Sequence, residues 1–207
     1  MSLLPNSATD LGPTTTSSVL ALVTLGVLLV SDLVAVRLAS GRGQLAPRAT
    51  ADDRGSYVLI QVTTLAGLLL AFAAPQVWPA LSVGGPVALT IVVGLVAGWG
   101  GIALRLWSVR TLGRSFQRVV TVNEGQEVVS SGPYRYVRHP SYTGVLLGFL
   151  GVGILIANWG SILALAALPA IGYVRRISVE EEALRRSLGE VYAAYADGKP
   201  RLVPGLW

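Results

Sequence analysis

The sequence predicts an all-α integral membrane protein with about five transmembrane helices. More than half of the 207 residues are hydrophobic, at 52%, and only 13% are charged, which is unusual for a soluble domain of this length. The apolar residues are also gathered into long stretches, and a helix needs roughly 20 of them to cross a hydrocarbon core of about 30 Å. We therefore expect one helical membrane unit.

Five apolar stretches mark the expected spans, and the last two form a hairpin. Three stretches are long enough to cross the bilayer alone: Val19–Leu38, Tyr57–Ala74 and Val87–Val109. The next apolar run, Tyr142 to Val174, would extend about 50 Å as a single helix, which exceeds the thickness of a bilayer. Asn158-Trp159-Gly160 divides it and is typical of an interfacial turn. The sequence therefore predicts two short spans, Tyr142–Ala157 and Ser161–Val174.

The cations predict an orientation in the membrane. We assign all sixteen Lys and Arg residues to three places: between the first two spans, after the third span, where we include Arg105, and after the fifth. The N-terminal tail, the loop Pro75 to Pro86 and the turn at Asn158 contain none. Because cytoplasmic loops are enriched in Lys and Arg, we expect the N-terminus outside and the C-terminus in the cytoplasm. This topology and anionic lipid headgroups account for the net charge of +5, so we expect no nucleic-acid partner.

The scarcity of cysteine and histidine limits the possible chemistry. The chain has no cysteine, which excludes disulfides and catalysis by a thiol, and its single histidine is His139. We therefore expect no metal site.

Glycines recur within the third and fourth spans and predict close helix packing by small residues: Gly94, Gly98, Gly101, Gly148, Gly151 and Gly153.

Two polar clusters flank the predicted hairpin. Pro140 suits the first turn of a helix, which places His139 at a helix N-terminus beside the membrane surface. After the hairpin, three glutamates follow Arg176, and we expect them to begin a new helix capped by Ser178. Folding the hairpin brings both clusters to one membrane face. An interfacial structural histidine and an ordinary amphipathic helix would also explain these clusters.

The ordered motifs carry a family resemblance. VVSSGPYRYVRHPSYTG, the hydrophobic hairpin, RRISVEEEALRRSLGEVYAAY and RLVPGLW are together similar to the isoprenylcysteine carboxyl methyltransferase family and its wider group, which includes phospholipid N-methyltransferases. The resemblance covers roughly Leu112 to Trp207. It implies an integral membrane enzyme that uses S-adenosylmethionine without a Rossmann fold. The chain would then divide into an N-terminal transmembrane region, residues 1–110, and a catalytic region, residues 111–207.

The resemblance also implies a cytosolic cofactor pocket between the segment before the hairpin and the C-terminal helix. Arg176 corresponds to the arginine that contacts the substrate, and we expect it to be the catalytic residue. The positions that correspond to cofactor-binding residues are Gln126, Glu127, Val128, Val129, Tyr134, His139, Pro140, Ser141, Tyr142 and Glu180.

The chemistry of these residue types agrees with methyl transfer to a carboxylate. A carboxylate is already ionised at neutral pH, so it needs no general base, and positioning supplies most of the catalysis. Arg176 could hold such a group with two hydrogen bonds. We therefore expect carboxyl O-methylation of an isoprenylcysteine-like acceptor, with lipidic or prenylated molecules and membrane lipids as the partners.

Several further functions are compatible with the sequence. A hydrophobic thiol or a phospholipid amine would have to lose a proton before methylation, and His139 carries the only side chain type that ordinarily titrates near neutrality. An NADPH-dependent enzyme of the sterol-reductase type and a non-enzymatic membrane scaffold are compatible with the same apolar spans.

Overall fold

The computed structural model describes residues 13–39, 53–113, 128–205 and 207. These residues form five long helices: α1 Pro13–Ala39, α2 Ser56–Val77, α3 Val87–Leu112, α4 Pro140–Ile156 and α5 Trp159–Ala196. Short 3-10 helices occur at Pro79–Leu81 and Gly132–Arg135. The predicted all-α fold is confirmed for the described residues.

Three of the helices, α2, α3 and α5, are long and apolar enough to cross a membrane. The apolar parts of α1, Thr15–Ser31, and of α4 are shorter. With 17 residues, α4 extends about 25 Å. The helices support an integral membrane protein, while the number of spans and their orientation remain predictions.

The turn between α4 and α5 lies where the sequence places it. Ala157 ends α4 in the left-handed region, with φ of 57°. Asn158 then caps α5, because its Oδ1 accepts hydrogen bonds from the backbone N–H groups of Gly160 at 2.9 Å and Ser161 at 3.3 Å. Its Nδ2 donates to the carbonyl oxygen of Trp78 at 3.0 Å, which ties the turn to the end of α2. The predicted hairpin is confirmed.

Glycines allow α3 and α4 to pack closely, as predicted. A Cβ atom at Gly144 would lie only 2.7 Å from the carbonyl oxygen of Gly101, and one at Gly101 only 2.5 Å from the backbone nitrogen of Gly148. Real side chains do not tolerate such distances, so these helices meet backbone to backbone. The most extensive contacts are those of α3 with α4 and of α2 with α5, and α1 packs on both α3 and α4.

The prediction of a separate helix capped by Ser178 is wrong. No Gly or Pro lies between Gly172 and Gly189, and α5 stays helical up to Gly189, where φ is 50° and ψ is −127°. Ser178 lies inside the helix, and its Oγ donates to the carbonyl oxygen of Val174 at 3.1 Å. A kink at Gly189 divides α5, and the 30 residues 159–188 before it extend about 45 Å, well beyond the apolar run Ser161–Val174.

Candidate functional site

The two polar clusters meet at one end of the helix bundle, which we call the site end. The C-terminal tail lies against the start of α4 there. The backbone N–H groups of Arg138 and His139 each donate at 2.9 Å to carbonyl oxygens of the tail, at Pro200 and Arg201. Thr143 Oγ1 donates to the carbonyl oxygen of Leu202 at 2.7 Å. The C-terminal motif RLVPGLW thus packs on the motif that contains His139 and Thr143.

Tyr142 connects the two sides of the predicted site. Its hydroxyl donates to Glu180 Oε2 at 2.7 Å and accepts a long hydrogen bond from Arg176 Nε at 3.4 Å. The ring stacks on His139, with centroids 5.6 Å apart and planes 6° apart, and contacts Tyr173 at 5.0 Å. The structure therefore brings together four residues that the sequence predicted for one site.

Arg176 is buried, with 2% of its surface exposed, and it is bound by the segment that precedes α2. Its Nη1 donates to Asp53 Oδ1 and, at 3.2 Å, to Ser56 Oγ. Asp53 is fully buried. Neither Asp53 nor Ser56 was predicted for the site. An Asp just before a helix start is an N-cap signal, and this was the only indication in the sequence that could have found Asp53.

Glu181 belongs to a different network from its neighbour Glu180. Its carboxylate lies 2.8 Å from Arg138 Nη1, 3.2 Å from His139 Nε2 and 3.2 Å from Arg201 Nη2. Burial alone would raise the pKa of Glu181, but the hydrogen bonds with His139 and Arg201 and the nearby charge of Arg138 lower it to about 2. This network, which the sequence did not predict, joins α5, the start of α4 and the tail.

Tyr134 is buried beneath the tail. Its carbonyl oxygen accepts hydrogen bonds from Lys199 Nζ at 2.9 Å and from the Tyr195 hydroxyl at 3.1 Å, and Lys199 Nζ also lies 3.8 Å from the centroid of the Tyr195 ring. Burial, assisted by the charge of Glu180, raises the pKa of the Tyr134 phenol well above its ordinary value. The side chain therefore stays neutral.

The remaining predicted residues lie on the approach to α4. Pro140 begins α4 and is buried, and Ser141 Oγ accepts a hydrogen bond from Arg105 Nη1 at 2.8 Å. Val128 and Val129 are half-buried and precede the short helix that carries Tyr134. Gln126 and Glu127 lie outside the described residues.

Arg105 corrects another expectation from the sequence. Its place near the end of the third apolar stretch grouped it with the cations that follow that span. In the structure it lies within α3, with 6% of its surface exposed. Its bond to Ser141 attaches α3 to the first turn of α4, so this cation takes part in packing at the site end.

One buried hydroxyl indicates room for a polar ligand. The Tyr192 hydroxyl is buried and has no hydrogen-bond partner among the described residues, and a buried polar atom without a partner is costly. Burial and the negative charges of Glu181 and Glu180 raise the pKa of Tyr192. Within the described part of the chain, the carboxylate of Glu180 accepts only the Tyr142 hydroxyl. Together these groups fit a ligand that carries an amino group and further polar atoms.

Comparisons with known proteins match this part of the molecule. The model of the isoprenylcysteine carboxyl methyltransferase (ICMT) family matches residues 92–186. The chain is 34% identical over 106 residues to protein-S-isoprenylcysteine O-methyltransferase B of Arabidopsis thaliana, covering 50% of this chain and 54% of that protein. It is 32% identical over 106 residues to protein-S-isoprenylcysteine O-methyltransferase of Schizosaccharomyces pombe, covering 50% and 45%.

The fold also has a solved counterpart. The structure described as the eukaryotic intramembrane Ras methyltransferase ICMT, without a monobody, aligns with a TM-score of 0.74 and 20% identity, covering 95% of this chain and 69% of that one. The fold is thus that of an intramembrane helical protein. The resemblance to the isoprenylcysteine carboxyl methyltransferase family is confirmed over residues 92–186. The chain spans about half the length of the curated relatives it matches.

Proposed function

We propose that the protein is an S-adenosylmethionine-dependent methyltransferase that acts at the membrane on a lipidic carboxylate, most closely an isoprenylcysteine-like acceptor. The observation that carries this proposal is the arrangement of Arg176, Tyr142 and Glu180. A buried cation and a carboxylate with spare acceptor capacity lie on either side of one tyrosine hydroxyl. The family resemblance supports the proposal that Arg176 binds the acceptor and Glu180 binds S-adenosylmethionine.

Arg176 is the group that would hold the acceptor. A guanidinium binds a carboxylate with parallel hydrogen bonds, and burial strengthens such bonds because little water competes for them. Arg176 lies two residues after the apolar run of α5, so an acceptor bound there could leave its prenyl chain among the membrane helices. This location suits a molecule with an ionised head and a long apolar tail.

Glu180 and Tyr192 are the groups that would hold the cofactor. S-adenosylmethionine supplies an electrophilic methyl group on a sulfonium. Glu180 would accept hydrogen bonds from its amino group, and the Tyr192 hydroxyl would pair with one of its polar atoms. Tyr142, which is partly buried, fixes the Glu180 carboxylate through the 2.7 Å hydrogen bond.

Positioning is the main catalytic requirement. The acceptor carboxylate is already ionised, so no residue of this chain has to remove a proton. Holding two reactants in line replaces a bimolecular encounter and provides a large part of the rate. The ion pairs of the site end keep the arginine and the glutamate on fixed elements.

The decisive experiment uses the purified protein in detergent or nanodiscs. Calorimetry should detect binding of S-adenosylmethionine and not of NADPH. Methyl transfer from the labelled cofactor to N-acetyl-S-farnesyl-L-cysteine should be observed and should be lost in Arg176→Gln, while Arg175→Gln, an exposed neighbour, serves as the control. Binding of NADPH alone would identify a reductase, and transfer only to lipid extracts would identify another acceptor.

The proposed location is a multi-pass protein with its N-terminus outside and the site end in the cytoplasm. The distribution of cations supports this orientation. Because the chain has no cysteine, single cysteines introduced at the exposed positions Ser130 and Gly198 give a clean test. Labelling of either position by an impermeant reagent from outside intact cells would reverse the proposed topology.

A further inference from the structure

The segment before α2 contacts α5 through two adjacent side chains. Asp53 binds Arg176 in the interior, where 0% and 2% of these residues are exposed. Arg54 forms two hydrogen bonds with the Glu182 carboxylate, at 2.7 and 2.9 Å, on the surface. The same two elements are therefore joined once by a buried ion pair at the proposed acceptor site and once by an exposed pair away from it.

The backbone of this segment has an unusual conformation. Arg54 has a φ of 47° and Gly55 a φ of 72°, so two successive residues are left-handed. A residue other than glycine seldom adopts this conformation, because its Cβ crowds the backbone, and such strain is often kept at functional sites. This turn lies between Asp53 and the start of α2, and the Asp53 carboxylate before it contacts α5.

The Asp53 carboxylate is itself held on both oxygens. Oδ1 accepts from Ser56 Oγ at 3.0 Å in addition to Arg176, and Oδ2 accepts from the backbone N–H of Tyr57 at 3.1 Å. This N–H lies in the first turn of α2, where such groups lack partners within the helix and the helix dipole favours an anion. The orientation of Asp53 is thus set by α2, and Asp53 in turn fixes Arg176.

We propose that Asp53 is a positioning residue of the acceptor site, which keeps the guanidinium of Arg176 directed at the acceptor carboxylate. This inference rests on the proposed methyltransferase function. Arg176 also contacts Tyr142, which is bonded to Glu180. Among the described residues, the next anion along this chain of contacts is Glu180, and a direct pair between Arg176 and Glu180 would occupy the proposed acceptor-binding and cofactor-binding groups at once. Asp53 therefore keeps the guanidinium of Arg176, which would bind the acceptor, apart from the carboxylate of Glu180, which would bind the cofactor.

The inference gives the N-terminal part of the chain a role in the chemistry. Asp53 lies outside the family match at residues 92–186 and outside the three motifs of the C-terminal half. The acceptor site is then built from both halves of the chain, because α2 packs along α5 and places its capping residue next to Arg176.

The test measures steady-state kinetics of the full chain in nanodiscs, with labelled S-adenosylmethionine and N-acetyl-S-farnesyl-L-cysteine. In Asp53→Asn we expect the KM for the farnesylcysteine to rise at least about tenfold, as for loss of a hydrogen bond between charged groups, while the KM for the cofactor changes far less. Ser56→Ala, which keeps the ion pair and removes the hydroxyl that bonds both Asp53 and Arg176, should shift the same KM in the same direction by less. Glu182→Gln breaks only the exposed pair and should leave both KM values unchanged.

A second measurement separates positioning from general stabilisation. Because Asp53 acts through Arg176 and not through Glu180, Asp53→Asn should leave the affinity for S-adenosylmethionine, measured by calorimetry, close to that of the parent, whereas general destabilisation would lower it. The inference is overturned if an active parent enzyme and Asp53→Asn share the same acceptor KM, or if Glu182→Gln raises it equally. If Asp53→Asn fails to fold, Ser56→Ala provides the same readout. A parent that binds no S-adenosylmethionine and methylates nothing refutes the proposed function, and the role of Asp53 with it.

Discussion

Glu180 and Glu181 are neighbours on α5 and carry the same side chain, yet the structure places them in opposite situations. Glu181 is surrounded by Arg138, His139 and Arg201, and 3% of it is exposed. Glu180 is half-buried and, among the described residues, accepts one hydrogen bond from a neutral hydroxyl. Successive residues point to different sides of a helix, so one acid faces the tail and the other faces Tyr142 and Arg176.

The difference teaches how one acidic motif can serve two purposes. A carboxylate whose partners are all supplied by the protein has little capacity left for a ligand, and its role is to hold α4, α5 and the tail together. A carboxylate with unfilled acceptor capacity beside a partly buried tyrosine can bind a cation or an amine. We therefore propose that Glu181 holds the site end together and that Glu180 binds the cofactor.

The largest expected effect comes from Glu181→Gln. It leaves the partly buried Arg138 and Arg201 without their carboxylate partner, and each hydrogen bond between charged groups that is lost costs about 1.5 to 3 kcal/mol. We expect a clear drop in the unfolding temperature of the purified protein, measured by circular dichroism in detergent. Glu190→Gln, at an exposed position of the same helix, is the control and should unfold like the parent. Equal unfolding temperatures for the two variants would show that Glu181 does not stabilise the site end.

The same carboxylate predicts a dependence of stability on pH. The pKa of Glu181 in the folded protein is lowered to about 2, below the ordinary value for glutamate of about 4.3. A lowered pKa in the folded state adds stability that is fully present above the unfolded pKa and is lost as the pH falls through the folded pKa. The difference in unfolding temperature between the parent and Glu181→Gln should therefore shrink as the pH falls from about 4 toward 2. A difference that stays constant over this range would contradict the assignment.

Glu180→Gln should reverse the pattern seen for Glu181. We expect an unfolding temperature close to that of the parent, because only the hydrogen bond from Tyr142 changes. Affinity for S-adenosylmethionine should fall roughly 10- to 150-fold, since a hydrogen bond to a charged group contributes about 1.5 to 3 kcal/mol. Isothermal titration calorimetry provides the measurement. If Glu180→Gln and Glu181→Gln lose stability and affinity alike, the two acids form one network and the comparison fails.

Much of the fold was available from the sequence because lipid imposes a simple rule on composition. Long apolar runs predicted all five helices, and Asn158 and the glycines of α3 and α4 predicted the hairpin and its packing. The prediction that a new helix starts at Ser178 was wrong, because a serine followed by acids has the same pattern at a helix start as inside a continuous helix. The local pattern contains no information on packing against α4 and the tail, so it could not distinguish a helix start from a continuous helix.

The candidate site was predicted only where its residues stand close together in recognisable motifs. Tyr134, His139, Tyr142, Arg176 and Glu180 lie in two such motifs, and the structure brings them to one end of the bundle. Asp53 was missed because its contact with Arg176 spans 123 positions along the chain and depends on how α2 packs along α5. The partition between Glu180 and Glu181 was missed because it depends on which face of α5 the tail covers.

Tyr142→Phe should have the smallest effect and gives the finest test of the comparison. The variant keeps the ring that stacks on His139 and contacts Tyr173, and it removes the hydroxyl between Glu180 and Arg176. Glu180 keeps its charge, so we expect cofactor affinity to fall only several-fold, in line with about 0.5 to 1.5 kcal/mol for one hydrogen bond, with no change in unfolding temperature. Tyr142→Leu is the matched variant that also removes the ring and should lower stability. Parent-like affinity in Tyr142→Phe would mean that the hydroxyl does not orient Glu180, and the carboxylate would then have to be held in place by the cofactor itself.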